Sequence, residues 1–268
     1  MTMPVLFVSH GAPSLSLEPG DTGAAWHRLG VRLPKPSAIL VISAHWETHI
    51  PSVSSAVHPE TIHDFSGFPA ELYKLEYPAS GAPEIAKGVA HVLQQAGIPV
   101  QVDDTRGLDH GAWVPLSFLY PNADISVAQL SIQPDKDPAW HIALGRALRP
   151  MREQGVLIIG SGSISHNLRA IFKHPQSEPA PKWVTEFCDW MAAKIKAGEL
   201  EALSAYRSHA PYAIQNHPTD EHLLPLFVAL GAANEIESAE HINHVMTYGL
   251  LAMDAWLFDP VQESPCQS

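Results

Sequence analysis

Ile39-Leu40-Val41-Ile42-Ser43-Ala44-His45-Trp46 is the stretch that decides the fold. Its four aliphatic residues, introduced by Leu33-Pro34-Lys35-Pro36, read as a strand buried on both faces, as in the middle of a parallel sheet. The run ends on a histidine, and two others do the same. Val5-Leu6-Phe7-Val8-Ser9 leads into His10-Gly11, and Val156-Leu157-Ile158-Ile159-Gly160-Ser161-Gly162 reaches His166 a few residues later. Open α/β sheets bind ligands outside the carboxyl ends of their strands. Imidazole is the commonest protein ligand for a metal. Histidines recurring at strand ends therefore predict a metal site in one crevice at the carboxyl ends of the sheet.

Outward from these runs, strands and helices alternate. Strands are predicted over 5–9, 38–44, 100–103, 125–130 and 156–160, with a weaker one over 51–56 and closing strands near 245–250 and 253–257. Helices are predicted over 22–29, 82–96, 109–119, 137–149, 182–196 and 200–206. Thr219 is expected to cap a last long helix running to residue 230, which puts His222 at its N3 position. The alternation predicts a single α/β domain over 1–260, with a mostly parallel central sheet flanked by helices, and a polar tail over 261–268. Residues 47–81 form a long irregular excursion. It carries His63-Asp64-Phe65-Ser66-Gly67-Phe68-Pro69, and loops of that length are commonly functional, so an ordered, lid-like segment is expected.

Composition narrows the function classes. The 28 acidic residues outnumber the 16 Lys plus Arg, for a formal net charge of -12, and no basic run exists, so nucleic acid is an unsuitable partner. No run approaches the ~18 apolar residues of a membrane span. Two cysteines, Cys188 in a helical pattern and Cys266 in the tail, make neither a disulfide framework nor a cysteine zinc site. The expectation is a cytoplasmic monomer or small homo-oligomer.

Individual motifs carry chemistry with bland alternatives beside them. Gly11 lets the chain turn sharply under a ligand of His10, although a turn histidine satisfied by backbone fits the same residues. Trp46, behind His45, is expected to wall a pocket. Asp109-His110-Gly111 opens a helix, whose positive end would keep a histidine neutral, suited to act as a base; a plain cap by Asp109 is equally consistent. The Ser161–Asn167 loop lacks the lysine of a phosphate loop, and Gly160-Ser161-Gly162 is one residue too tight for a nucleophile elbow, which argues against a serine hydrolase. His217-Pro218-Thr219-Asp220-Glu221-His222 is the densest cluster of metal-capable groups, yet Asp220 and Glu221 also suit a helix start. The remaining histidines, including His141 and His241, sit in no motif and are read as surface or packing residues.

Taken in order, seven motifs resemble the class III extradiol ring-cleavage dioxygenases, in their 4,5-DOPA extradiol dioxygenase branch. They are Ser9-His10-Gly11-Ala12-Pro13, Ser43-Ala44-His45-Trp46, Ile62 through Pro69, Leu108-Asp109-His110-Gly111-Ala112-Trp113, Gln129-Leu130-Ser131-Ile132, Ser165-His166-Asn167-Leu168-Arg169 and Pro218 through Leu226. The resemblance implies one divalent metal, Fe(II) for ring cleavage, held by His10, His45 and His222. The wider class often has a glutamate as third ligand; here His222 takes that place with Glu221 beside it. An all-nitrogen set also suits zinc, and His166 would then approach as a fourth ligand. The resemblance further implies His110 and His166 as acid–base residues. It also implies cleavage of a catechol such as L-DOPA by O2 to a muconic semialdehyde. Phe65, Phe68, Trp46 and Trp113 are expected as apolar walls, and His63 and Tyr212 as contacts to a substrate carboxylate or phenol. Two other readings of the same residues are a zinc-dependent hydrolase and a non-enzymatic metal-binding relative.

Overall fold

Every residue of the first strand, β1 (Val5–Ser9), is buried, because it lies inside a sheet covered on both faces. The computed structural model describes residues 2–171, 173–175, 178–234 and 238–259. Its other strands are β2 (Ala38–Glu47), β3 (Ser52–Ser54), β4 (Gln101–Asp103), β5 (Val127–Ile132), β6 (Val156–Gly162), β7 (Ser238–Thr247) and β8 (Leu251–Asp259). They form one sheet in the order β4-β3-β5-β2-β6-β1-β8-β7. The block β5-β2-β6-β1 is parallel, while β8 is antiparallel to β1, β7 to β8, and β3 to β5. The molecule is a single α/β domain with a mostly parallel sheet.

The helices are α1 (Gly20–Arg32), α2 (Pro83–Gln95), α3 (His110–Leu119), α4 (Pro138–Glu153), α5 (Leu168–Ile171), α6 (Lys182–Ala197), α7 (Leu200–Ser204), α8 (Tyr206–His209), α9 (Ala213–Asn216) and α10 (Leu224–Ala232). Side chains alternate across a strand, so the sheet feeds two cores. Leu40, Ile42, Phe7 and Ile158 meet α2, α4, α6 and α10 on one face. Ile39, Val41, Leu6 and Ile159 meet α1 and α3 on the other. Asp137 caps α4, its carboxylate accepting the Trp140 N–H at 2.7 Å, with Pro138 at the first helical position. Among the described residues no helix is long and apolar enough to cross a membrane.

Two expectations that position the site need correction. First, β2 does not stop at Ala44 but runs on to Glu47, with irregular pairing against β5 between Ile42 and Glu47. Second, Thr219 does not cap the last helix. That helix starts at Leu224, and residues 220–223 form a turn in which the N–H groups of Leu223 and Leu224 both bond to the Asp220 carbonyl, at 2.8 and 3.1 Å. Pro225 explains the shift. Lacking an N–H, it belongs in a first helical turn, where no donor is needed. His222 therefore sits in the turn and not on the helix. The tail 261–268, with Cys266, lies outside the described residues.

The α10 segment lies so close to β6 that only glycine fits beneath it. A Cβ on Gly160 would stand 2.4 Å from the Pro225 carbonyl oxygen, and one on Gly162 would stand 2.1 Å from that of His222. This close approach carries the His222 turn to the carboxyl end of the parallel block.

Candidate metal centre

Five histidines meet where β1, β2 and β6 end. His10 follows β1, and Gly11 behind it takes φ +68°, the left-handed turn that glycine adopts without strain. His45 projects from the irregular end of β2, where disrupted pairing re-aims a side chain. The turn at His222 is clamped to the end of β6 by the Ser163 N–H, which donates to the His222 carbonyl at 2.7 Å. His110 opens α3, and Asp109 caps that helix through the Ala112 N–H at 3.2 Å. The cap reading of Asp109 therefore holds, and it sets His110 at the cleft. His166 follows β6, its ring stacked on His222 at 3.4 Å between centroids and 12° between planes.

One donor atom each from His10, His45 and His222 falls within 4.8 Å of the others. His10 Nε2 and His45 Nε2 are only 3.0 Å apart. The opposite nitrogens are spoken for. Ser161 Oγ donates its proton to the Gly111 carbonyl and so accepts from His10 Nδ1 at 3.1 Å. His45 Nδ1 faces Asp64 Oδ2 at 3.3 Å, and His222 Nδ1 faces Glu221 Oε1 at 3.0 Å. Ser161 and Glu221 thus set His10 and His222 with the proton on Nδ1, and the Asp64 carboxylate favours the same tautomer of His45, the one that frees its Nε2 for a metal. Orienting a ligand histidine through its far nitrogen is the usual outer-sphere arrangement of a metal site.

Electrostatics point the same way. Burial first, then the neighbouring imidazoles, hold His10 and His222 well below the usual histidine range. Burial and His110 bring His45 down to about 4, and burial brings His166 to about 4. Both are neutral at neutral pH. With Nδ1 protonated on both rings, the two Nε2 lone pairs 3.0 Å apart would repel, and a divalent cation between them would remove that repulsion. The residues fit a borderline divalent metal. For Asp64, burial alone would raise the carboxyl, but the His110 ring and backbone N–H beside it, with His45, outweigh this and hold it at about 2.

A cleft of about 200 Å³ opens over these groups, lined by His10, His45, His110, His166 and His222. Pro13, Phe65, Phe68, Leu168 and Leu251 supply its apolar wall. Of the expected pocket residues, Phe65 and Phe68 line the cleft. Trp46 does not. Because β2 continues through it, Trp46 faces away from His45 and lies against the Arg106 guanidinium at 5.1 Å. Trp113 is buried behind Phe65, its indole N–H donated to the Ile62 carbonyl at 3.0 Å. His63 donates Nε2–H to the Leu75 carbonyl at 3.0 Å and packs edge-on against Phe65, so it supports the wall from outside. Tyr212 is 44% exposed and is not among the cleft residues. Sequence reasoning gave no role to Asp64 or Ser161. The signal lay in the motifs themselves, since each is a polar residue in a segment that also lines the cleft.

Comparison with known proteins places this arrangement. Residues 7–255 match the family model described as the catalytic LigB subunit of aromatic ring-opening dioxygenase. The chain is 42% identical over 257 residues to the 4,5-DOPA dioxygenase extradiol of Beta vulgaris, covering 94% of this chain and 95% of that one. It is 43% identical over 234 residues to the 4,5-DOPA dioxygenase extradiol of Escherichia coli K12, covering 86% and 85%. A crystal structure of an uncharacterized protein from Escherichia coli K12 matches with a TM-score of 0.81 at 35% identity, over 96% of this chain and 100% of that one. The matched region begins in β1 and ends in β8, enclosing all five site histidines, and the chain belongs to the LigB family of aromatic ring-opening dioxygenases.

Proposed function

We propose that this protein is an extradiol dioxygenase that opens the ring of a catechol such as L-DOPA with O2, incorporating both oxygen atoms, to give a muconic semialdehyde. The observation that carries this reading is the trio of imidazoles whose donor atoms converge at the floor of an aromatic-walled cleft. His10, His45 and His222 would hold the metal. Bound Fe(II) would supply the redox link between the electron-rich ring and O2, which zinc cannot.

The remaining residues handle the substrate and its protons. Phe65, Phe68, Leu168 and Leu251 exclude water and receive the flat ring. A catechol must lose protons to chelate, and neutral His166 in the cleft wall is an available acceptor. His110, held against Asp64, is the second proton-transfer group. His166 has a further reading as a fourth ligand, favoured because donor atoms of His166, Glu221 and His222 also fall within 4.8 Å of one another. The zinc-hydrolase reading keeps the all-nitrogen ligand set in its favour. A reducing compartment such as the cytoplasm suits ferrous iron.

Anaerobic reconstitution with Fe(II), and separately with Zn(II), followed by L-DOPA and oxygen-electrode recording, tests the proposal. The expected result is O2 uptake with a new yellow chromophore in the iron sample alone. No uptake across a panel of catechols would sink it, and ester turnover with zinc would install the hydrolase.

A further inference from the structure

Segment 62–69 brings Phe65 and Phe68 to the cleft wall, and just before them it places a carboxylate, Asp64. Asp64 Oδ2 lies 3.3 Å from His45 Nδ1. Asp64 Oδ1 lies 2.9 Å from His110 Nδ1 and accepts the His110 backbone N–H, also at 2.9 Å. Neither Nδ1 contact is aligned as a hydrogen bond, so the backbone N–H is what pins Oδ1 in place, and the carboxylate faces both rings as a negative charge. One side chain thus grips a ligand imidazole and a proton-transfer imidazole together. The other ligand histidines take their anchors from elsewhere, His10 from Ser161 on β6 and His222 from its own neighbour Glu221. Only His45 is anchored from the long excursion between β3 and α2.

We propose that Asp64 is a positioning residue that fixes the tautomer of His45 and the seat of His110, and so couples metal binding to the docking of segment 62–69. The proposal rests on the metal-site reading above. A carboxylate only accepts hydrogen bonds. Facing Asp64, His45 is favoured with its proton on Nδ1, which turns the Nε2 lone pair to the metal position. Asparagine at this place has the same shape and opposite consequences. Its oxygen remains spent on the His110 N–H, so its NH2 turns toward His45 Nδ1. Nδ1 must then accept, and the ring proton moves to Nε2, where it competes with a metal. Coupling is reciprocal, so a bound metal should in turn hold segment 62–69 in place.

The test is Zn(II) affinity of the full chain, measured by competition with a chromophoric chelator, with amide hydrogen exchange over residues 62–69 read with and without Zn(II). D64N is expected to bind Zn(II) about 10–100-fold more weakly than the parent, the usual cost of losing an outer-sphere partner. It should also lose the Zn(II)-dependent protection of the segment, while metal-free circular dichroism stays unchanged. D64E, which keeps an acceptor-only group, should recover part of the affinity and the protection. Should D64N not fold, D64E alone carries the test, and a loss in it as large as that of His45→Ala overturns the proposal. D64N binding within about twofold of the parent, or losses equal in D64N and D64E, also overturn it. Zn(II) binding needs no turnover. Absent O2 uptake by the iron-loaded parent would therefore remove the proposed reaction and leave the role of Asp64 standing. A parent that binds no Zn(II) would remove both.

Discussion

His141, at the start of α4, and His45, at the end of β2, are both largely buried, and burial first brings each down to about 4. They differ in what their nitrogens do. His141 Nδ1 meets the Asp137 carbonyl at 2.9 Å, and its Nε2 accepts the Gln133 N–H at 3.3 Å. Both nitrogens are spent on backbone, and the ring ties a helix to a strand end. His45 turns one nitrogen to the Asp64 carboxylate at 3.3 Å and aims the other at His10 Nε2. Burial and a lowered proton affinity therefore do not mark a site; a nitrogen left over, aimed at another left over, does. His217 supports the lesson from inside the motif cluster. It is fully buried and brought to about 4; its Nε2 is bound to the Ile164 carbonyl at 2.7 Å, and its Nδ1, though left over, belongs to none of the groups of converging donor atoms among the described residues.

The comparison can be broken by experiment. The largest effect is expected from His10→Ala or His45→Ala. Each should weaken metal binding by more than about 100-fold, beyond the loss of any outer-sphere partner, as read by titration against a chelator. His166→Ala should keep more metal than either and lower kcat by about 10²–10⁴-fold, the range for a proton-transfer group. Metal loss equal to that of His10→Ala would instead make His166 a ligand.

His141→Ala should do the opposite. It leaves the Gln133 N–H unpaired, which costs about 1–3 kcal/mol in chemical denaturation, with Zn(II) affinity unchanged. Its pH signature follows from linkage. The unfolded ring takes up a proton near pH 6.5, and the folded ring refuses it until about 4. Stability is therefore full above pH 6.5 and falls as pH drops from 6.5 to 4. The variant should flatten that slope in metal-free melting curves. The smallest effect is expected from Leu168→Ala. A half-exposed leucine holds only part of the ~1.5–3 kcal/mol of a fully buried one, so KM for a catechol should rise roughly threefold with kcat unchanged.

Much of this was legible in the chain. The apolar runs at 5–8, 39–42 and 156–159 became β1, β2 and β6, and their carboxyl ends hold the histidines as the open-sheet rule requires. What escaped was local. Trp46 was expected in the pocket because β2 was ended at Ala44, and with the strand carried to Glu47, alternation sends neighbouring side chains to opposite faces. His222 was set on a helix because Thr219 is a good cap; Pro225, read for its missing N–H, would have moved the start. The anchors Asp64 and Ser161 escaped because pairing across 19 and 151 positions leaves no periodic trace in the sequence.

The order β2-β6-β1 has a consequence for synthesis. His10 and His45 hang from strands that are not neighbours, and β6 must slot between them before the two rings share a floor. The third ring waits longer still, on a turn just ahead of α10. A ribosome adding about 5–20 residues per second leaves the first two histidines without the third for roughly ten to thirty-five seconds. The growing chain thus holds no complete cradle for most of its assembly, and any loading with metal would be a closing event of biogenesis instead of a seed for it.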